Sequence, residues 1–497
     1  MFARLHDDYF ASLPFHRYDD EYSAFRSRNE LELRSGRIPL DNLTRNILDG
    51  RSLPLIFMLT APNAVAFTVQ AFVNIAEIWL IGTLGTVALA AIALSFPFSI
   101  LIQTMSLGAL GGGVSSAVAR ALGNDDKIRA DKVLWHAIYL GIMISGVLAF
   151  LFWLLGRNVL SLLGGEGAIL DAALGYCAIL FIGGTFLWLS SLISAIFRGA
   201  GDMAYPSRIM VIASVLQVPL TALFIFGAFG LPALGVPGAA LSNVVISAGI
   251  SVAMLLRIKS GGCLVGFRKS CMALDVGVFR EILKVSLPAT LNPILNVAVI
   301  LFLTALVGRF GPSALAGFGI GTRIEYVVLP IMFAFGTAAT TLVGTNIGAG
   351  NHRRAEIMGW HATACASLFC GLVGVVLALS TRLWVPIFTS DPIASSVTTS
   401  YIQIVGPAFS LYAIGLVLYF ASQGAAAMKW PIRAQIIRSI LVVTAAWTAV
   451  DTFGMGTSSI FVVSTMSFAV YAGVVSGAVY LGAWDPHKVT QSRLLSL

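Results

Sequence analysis

The chain has 497 residues, of which 57% are hydrophobic and only 11% charged, with a net charge of +8. A mean hydropathy of +0.88 excludes a water-soluble protein, because so little polar surface cannot cover so much apolar surface. The excess of bases does not signal nucleic-acid binding either, since it is distributed over alternate loops between apolar stretches.

Residues 1–51 carry 8 Arg and 9 of the chain's 23 acids and read as a polar cytoplasmic N-terminal tail without the early apolar core of a secretory signal. Twelve apolar spans of about 20 residues or more follow. They are predicted near 54–81, 90–118, 134–155, 169–196, 209–229, 236–257, 284–307, 314–342, 359–380, 397–423, 434–453 and 457–482. The loops after even-numbered spans hold Arg120, Lys127, Arg129 and Lys132; Arg198 and Arg208; six bases from Arg257 to Lys284; Arg353 and Arg354; and Lys429, Arg433 and Arg438. The opposite loops hold only Arg157, Arg309 and Arg382. Basic loops stay inside, so both termini are expected in the cytoplasm and the protein in the inner membrane. The five cysteines form no CxxC pair or His cluster, so neither a zinc site nor a disulfide framework is expected. No Walker motif is present, which argues against direct ATP hydrolysis.

The spans repeat. With Pro62 set against Pro288, Gly82-Thr-Leu-Gly85 and Ala88-Leu89-Ala90 fall on Gly308-Arg-Phe-Gly311 and Ala314-Leu315-Ala316. One gap later Trp135-His136-Ala137 meets Trp360-His361-Ala362, Tyr176 meets Tyr401, Gly199-Ala200 meets Gly424-Ala425, Pro206 meets Pro431 and Arg208 meets Arg433. Six spans per repeat is an even number, so both copies enter the membrane from the same side and are related by an axis along its normal. The expected fold is an all-α integral membrane protein with twelve transmembrane helices in two parallel six-helix lobes related by a pseudo-two-fold. Its divisions are an N-lobe (52–258, helices 1–6), a cytoplasmic linker (259–281), a C-lobe (282–483, helices 7–12) and a cytoplasmic C-terminal tail (484–497). The cleft between two such halves suits a transporter.

Several motifs carry a resemblance over roughly residues 53–480. These are Asn74-Ile-Ala-Glu77 followed by Gly82-x-Leu84-Gly85-x-x-Ala88-Leu89-Ala90-Ala91, Leu223-Phe-Ile-Phe-Gly227, Gly235-Val-Pro-Gly238-Ala-Ala-Leu241, Arg323-Ile324-Glu325 and Gly348-Ala349-Gly350-Asn351. Together they resemble the multidrug and toxic compound extrusion (MATE) family. The resemblance implies a V-shaped pair of lobes that exports substrates against inward Na⁺ or H⁺ flow.

An ionisable side chain at a helix centre costs at least ~2.5–3.5 kcal/mol, so acids inside spans are the first candidates for chemistry. Glu77 in helix 1 is the foremost, because its repeat counterpart is Leu303 and the acid therefore belongs to one half alone. A lone carboxylate in a low-dielectric site suits reversible protonation, while the alternative is an acid that snorkels to the outer interface. The family resemblance implies that this position binds the coupling ion, with Asn74 beside it. Where sodium-type members have an Asn and an Asp on helix 5, this chain has Gln217 and Thr221, and on helix 6 it has Asn243. One carboxylate with neutral amides favours a proton over sodium. A Na⁺ shell from Glu77, Gln217, Thr221 and Asn243 stays open, as does a role for the three neutral groups in helix–helix hydrogen bonding alone.

Arg323 and Glu325 in helix 8 either anchor the C-lobe or handle substrate or protons, and Asn292 and Asn296 share a face of helix 7 that could line the cleft. His136 and His361 occupy matching positions, which argues for scaffold over proton relay. The reading is a monomeric, non-enzymatic antiporter without a cofactor. It exports organic, cationic or amphipathic small molecules through the bilayer in exchange for H⁺ or Na⁺ by alternating access. The rivals are a flippase of lipid-linked oligosaccharides and a membrane receptor or enzyme. Against the flippase, Arg323 reads as the one base deep in a span, too little for a strongly basic cavity.

Overall fold

The computed structural model describes residues 42–227, 230 and 232–485; most of both tails, 1–41 and 486–497, lies outside the described residues. The described chain is almost wholly helical, which is how a segment in hydrocarbon satisfies its backbone N–H and C=O groups without water. Ten helices are long and apolar enough to cross a membrane singly, and two bent pairs bring the number to twelve. The N-terminal six are α1 (Ser52–Gly82), α2 (Thr86–Gly123), α3 (Lys127–Leu162), the pair α4 (Gly167–Ile182 and Gly184–Gly199), α5 (Ala204–Phe226) and α6 (Val236–Lys259). The C-terminal six are α7 (Val276–Gly308), α8 (Pro312–Gly348), α9 (His352–Leu379), the pair α10 (Pro392–Val405 and Phe409–Gly424), α11 (Lys429–Thr452) and α12 (Thr457–Tyr480). Side chains such as Trp153 and Leu368, 77% and 76% exposed, cover the outer faces, as expected of helices solvated by lipid.

The spans taken as continuous at positions 4 and 10 are broken. α4 bends by 49° at Gly183, and α10 bends by 57° across Gly406-Pro407-Ala408, the matching point of the second repeat. Proline at 407 has no backbone N–H to continue the helix. The N-caps repeat as well: Asp126 accepts from Arg129 N at 2.9 Å to open α3, and Asn351 accepts from Arg354 N at 3.1 Å to open α9.

Each half builds its own apolar core, and each core is completed by the other half's first helix. Leu55, Ile56 and Leu59 of α1 pack into the C-lobe core, whereas Val278 and Ile282 of α7 pack into that of the N-lobe. The two matching histidines fasten these crossovers. His136 accepts from Asp275 N at 2.8 Å, just before α7, and its other ring nitrogen bonds Lys132 O at 2.7 Å. His361 bonds Ser52 Oγ at 2.8 Å at the start of α1. Both imidazoles hold a helix start. Asp275 is also paired with Lys132 Nζ at 2.8 Å; that hydrogen bond and the Gly277 N–H hold its carboxyl below the usual range.

The lobes meet at the end that bears Arg120, Arg198, Arg354 and Lys429, here termed the basic end. Ser116 Oγ donates to Gln423 O at 2.6 Å, Gln423 Nε2 to Gly108 O at 2.9 Å, Asn63 Nδ2 to Thr337 Oγ1 at 3.0 Å, and Thr341 Oγ1 to Arg198 O at 2.8 Å. Glu281 joins Arg120 and Arg129 at 3.1 and 2.6 Å. A short helix of the tail, Asn42–Asp49, lies across this seam. Its Ile47 is buried and its carbonyl accepts from Arg354 at 3.3 Å, while Gly201 of the N-lobe lies beneath Leu43 and Ile47.

Two repeat-related glycines set how closely the seam closes. A Cβ on Gly123 would run into the carbonyl oxygen of Thr345, and one on Gly348 into that of Arg120. Such contact between helix backbones needs small residues. Gly348→Val is expected to cost about 1–3 kcal/mol, read as a lower thermal midpoint of the purified protein in detergent; an unchanged midpoint would contradict the contact.

Candidate functional site: a polar chain ending on Glu77

Three N-lobe helices contribute polar faces that meet. On α1, Gln70, Asn74 and Glu77 follow an i, i+4, i+7 spacing, and on α5 Ser214, Gln217 and Thr221 follow i, i+3, i+7, so each set shares one helix face. α6 adds Ser242 and Asn243. In an apolar bundle these groups must find partners within the protein, and they bond to each other and, for Ser242 and Asn243, to the carbonyl of Ala239.

The hydrogen bonds run in one direction. Ser214 Oγ donates to Gln70 Oε1 at 2.9 Å, and Gln70 Nε2 donates to Gln217 Oε1 at 3.5 Å. Gln217 Nε2 donates to Asn243 Oδ1 at 2.7 Å, and Asn243 Nδ2 donates to Glu77 Oε1 at 2.9 Å. Gln70 Nε2 also reaches Asn74 Oδ1 at 3.2 Å. The carboxylate has no basic partner among the described residues. Glu77 is half-buried, Asn74 exposed and Gln217 buried, so the chain runs from a partly open end into the lobe.

Of the sequence-predicted group, Glu77, Asn74, Gln217 and Asn243 are therefore brought together. Thr221 is not bonded to Glu77: fully buried, it shares a proton with Ser242 Oγ at 2.6 Å and ties α5 to α6. Sequence reasoning missed Gln70 and Ser214. The available signal was that Gln70 lies two helical turns before Glu77, on the same face.

The C-lobe has a polar core at the corresponding place, built with the opposite charge. Asn296, the repeat counterpart of Gln70, accepts from Arg438 Nη1 at 2.8 Å and from Gln435 Nε2 at 3.1 Å, and donates to Asn292 Oδ1 at 2.7 Å. Asn292 in turn reaches Tyr471 Oη at 3.4 Å. Asn292 and Asn296 thus turn toward α11 and α12 within the lobe. Tyr401 donates to Glu325 at 3.0 Å; the repeat counterparts of the two are Tyr176 and Ser99. Arg323 is exposed, and no ion pair joins it to Glu325 among the described residues.

A base other than Arg323 also lies deep in a span: Arg438. It lies about 13 Å beyond the start of α11 at ~1.5 Å per residue. Its guanidinium is buried and lies 4.8 Å from the ring centre of Phe468 and 5.3 Å from that of Tyr412. Aromatic faces and amide oxygens offset its desolvation. Sequence reasoning grouped it with the loop bases, although the predicted span 434–453 contains it.

No cluster of three or more His, Cys, Asp or Glu side chains that could hold a metal ion occurs among the described residues. The oxygens proposed for a Na⁺ shell are already engaged, those of Gln217 and Asn243 as acceptors in the chain and that of Thr221 with Ser242.

The Asn243–Glu77 contact should be measurable as a coupling energy. A double-mutant cycle of Glu77→Ala and Asn243→Ala, followed by unfolding in detergent, is expected to give about 1.5–3 kcal/mol, the range for a hydrogen bond to a charged group. Strictly additive effects would contradict the geometry.

The sequence profile of the MatE family matches this chain twice, over residues 62–223 and 288–448, in the register of the internal repeat. The FAD transporter of Shewanella oneidensis is 26% identical over 375 residues, covering 74% of this chain and 81% of that protein. A probable multidrug resistance protein NorM of Thermotoga maritima is 26% identical over 373 residues, covering 73% and 79%. Among solved structures, the outward-facing conformation of a multidrug resistance MATE family transporter of the MOP superfamily superposes with a TM-score of 0.83 at 22% identity, over 90% of this chain and 99% of that one.

Proposed function

The chain belongs to the MatE family of membrane transporters, and we propose that it is a secondary antiporter of the inner membrane that exports organic small molecules in exchange for protons taken up at Glu77. The observation that carries this reading is the polar chain itself. Every amide in it presents an N–H toward the next acceptor and ends on one carboxylate without a counter-ion. Binding Na⁺ would require the amide oxygens to be shared between the ion and these bonds, whereas a proton needs only the carboxylate. This favours H⁺ as the coupling ion.

The basic loops support a cytoplasmic basic end. The joining of the lobes at that end supports a conformation closed toward the cytoplasm, with Glu77 in the outer part of its helix. A proton arriving from outside neutralises Glu77 and removes the cost of enclosing an uncompensated charge, ~2.5–3.5 kcal/mol at a helix centre. The charge-assisted bond from Asn243 weakens in the same step, since bonds to charged groups are roughly twice as strong as neutral ones. α1, α5 and α6 are then free to repack, substrate is released outward, and the lobes rock to open the basic end. Proton loss to the cytoplasm and substrate loading complete the cycle. Amphipathic organic molecules, cations among them, are the proposed cargo. The relatives' names, one a flavin dinucleotide transporter and the other a multidrug resistance protein, support a broad range. The flippase alternative finds no added support in Arg438, which is directed into the C-lobe and not toward a cleft.

In inverted membrane vesicles, Glu77→Gln is expected to lower pH-gradient-driven uptake of a fluorescent organic cation by roughly 100-fold, the rate equivalent of the burial cost above. Wild-type exchange by the variant would overturn the assignment, and uptake driven by a Na⁺ gradient alone would overturn the choice of ion.

A further inference from the structure

The basic end contains a second buried charge that the proton chain does not use. Arg198 closes the last turn of α4 and, although grouped with the loop bases by sequence position, is only 2% exposed. Its Nη1 donates to Ser194 Oγ at 2.6 Å, one turn earlier, but its Nη2 has no partner. No carboxylate pairs with it among the described residues; Glu281, the acid that bridges the lobes, is taken by Arg120 and Arg129. Guanidinium is protonated at any physiological pH, so the charge cannot be removed by losing a proton. A buried charge left without a partner is among the most destabilising features a fold can carry.

The unpartnered Nη2 borders a small cavity at the seam, about 10 Å³ in volume, lined by Gly111, Ser115, Arg198, Thr337, Thr340 and Phe420. That is room for a single small particle, a water or a monatomic anion, and too little for phosphate or an organic anion. Ser115 Oγ is also buried without a partner. The two threonine hydroxyls already donate, Thr337 to Ala334 O at 3.0 Å and Thr340 to Phe420 O at 2.8 Å. Two residues with unengaged donors, one of them cationic, therefore line a space with no countercharge; the unpartnered Gln423 Oε1, which lies against Gly112 of the same lining, is neutral. A water there would satisfy the hydrogen bond and leave the charge uncompensated.

We propose that this cavity is a binding site for a small monovalent anion of chloride size, held by Arg198 and Ser115 at the junction of the two lobes. Its walls come from α2 and α4 of one lobe and from α8 and α10 of the other, so the site is complete only while the basic end is closed. Anion binding then stabilises the closed seam, and parting the lobes releases the ion. The repeat makes the site one-sided: the counterpart of Arg198 is Gln423, whose Nε2 donates across the seam to Gly108 O at 2.9 Å and which carries no charge. The lobes otherwise match here, with Ser115 opposite Thr340 and Gly199 opposite Gly424 in the repeat.

The test uses the purified full chain in detergent. Its thermal midpoint is measured against chloride at constant ionic strength, with gluconate as the replacing anion. Crystals are soaked in bromide in parallel. The site is expected to give a saturable rise of the midpoint with chloride and an anomalous bromide peak beside Arg198 Nη2. Arg198→Gln, which installs the side chain of the other repeat, should abolish both. Ser115→Ala, a milder change, should weaken apparent halide affinity by about tenfold, roughly the contribution of one hydrogen bond to an ion. Equal chloride dependence in wild type and Arg198→Gln, or in wild type and Ser115→Ala if the first variant does not fold, would overturn the proposal. So would a cavity that holds only water in the bromide-soaked crystal.

Discussion

A polar or charged group enclosed by apolar helices must find its partner inside the protein, and this constraint organises the whole molecule. In the N-lobe it assembles three helices around one line of amides that ends on Glu77. In the C-lobe it wraps Arg438 in aromatic rings and amide oxygens. At the seam it accounts for the pairing of Glu281 with two arginines. Two groups satisfy the rule only in part, and the proposed proton and anion sites rest on them. Glu77 has a donor and no counter-ion; Arg198 has one acceptor for Nη1 and none for Nη2.

Duplication supplies the frame in which such exceptions become visible. The lobes share broken fourth helices, capped third helices, close glycine contacts and histidines that hold the start of the other half's first helix. Because the scaffold is repeated, a charged residue present in only one copy needs a reason of its own, which for Arg438 is packing within the C-lobe. Glu77 faces Leu303 in the repeat and Arg198 faces Gln423, and both belong to the N-lobe. The C-lobe's polar core is closed upon itself by Asn292, Asn296, Gln435 and Arg438. On the proposed mechanism this asymmetry would let one lobe change its packing on neutralisation while the other holds its shape. The crossed first helices then link that local change to the relation between lobes, since the start of α1 is embedded in the C-lobe core.

Much of the fold was legible in the residues. Span length and apolar composition identify twelve crossings, and rare residues in register, such as Trp135-His136 against Trp360-His361, identify the repeat. Glu77 stood out because an acid inside an apolar span is costly enough to need a reason. Its neutral partners were harder to see. Gln70 and Ser214 carry no charge, and a single polar residue in a helix says little until the facing helix is known. Arg438 and Arg198 were hidden for a different reason. Near a basic loop, a base that turns inward has the same sequence signature as one that marks the cytoplasmic side, and only tertiary packing separates them. The bend in α10 had a local cause in Pro407, yet glycine and proline are common enough in membrane helices that the bend could not be read from composition alone.

The central claim is that Glu77 gains and loses a proton during transport, without sodium. Infrared difference spectroscopy of the protein in lipid, titrated with acid in sodium-free buffer, tests it directly. The account expects a protonated-carboxyl band that is present in wild type, absent in Glu77→Gln and insensitive to added Na⁺. A wild-type spectrum indistinguishable from that of Glu77→Gln, or a band abolished by Na⁺ at constant pH, would contradict it.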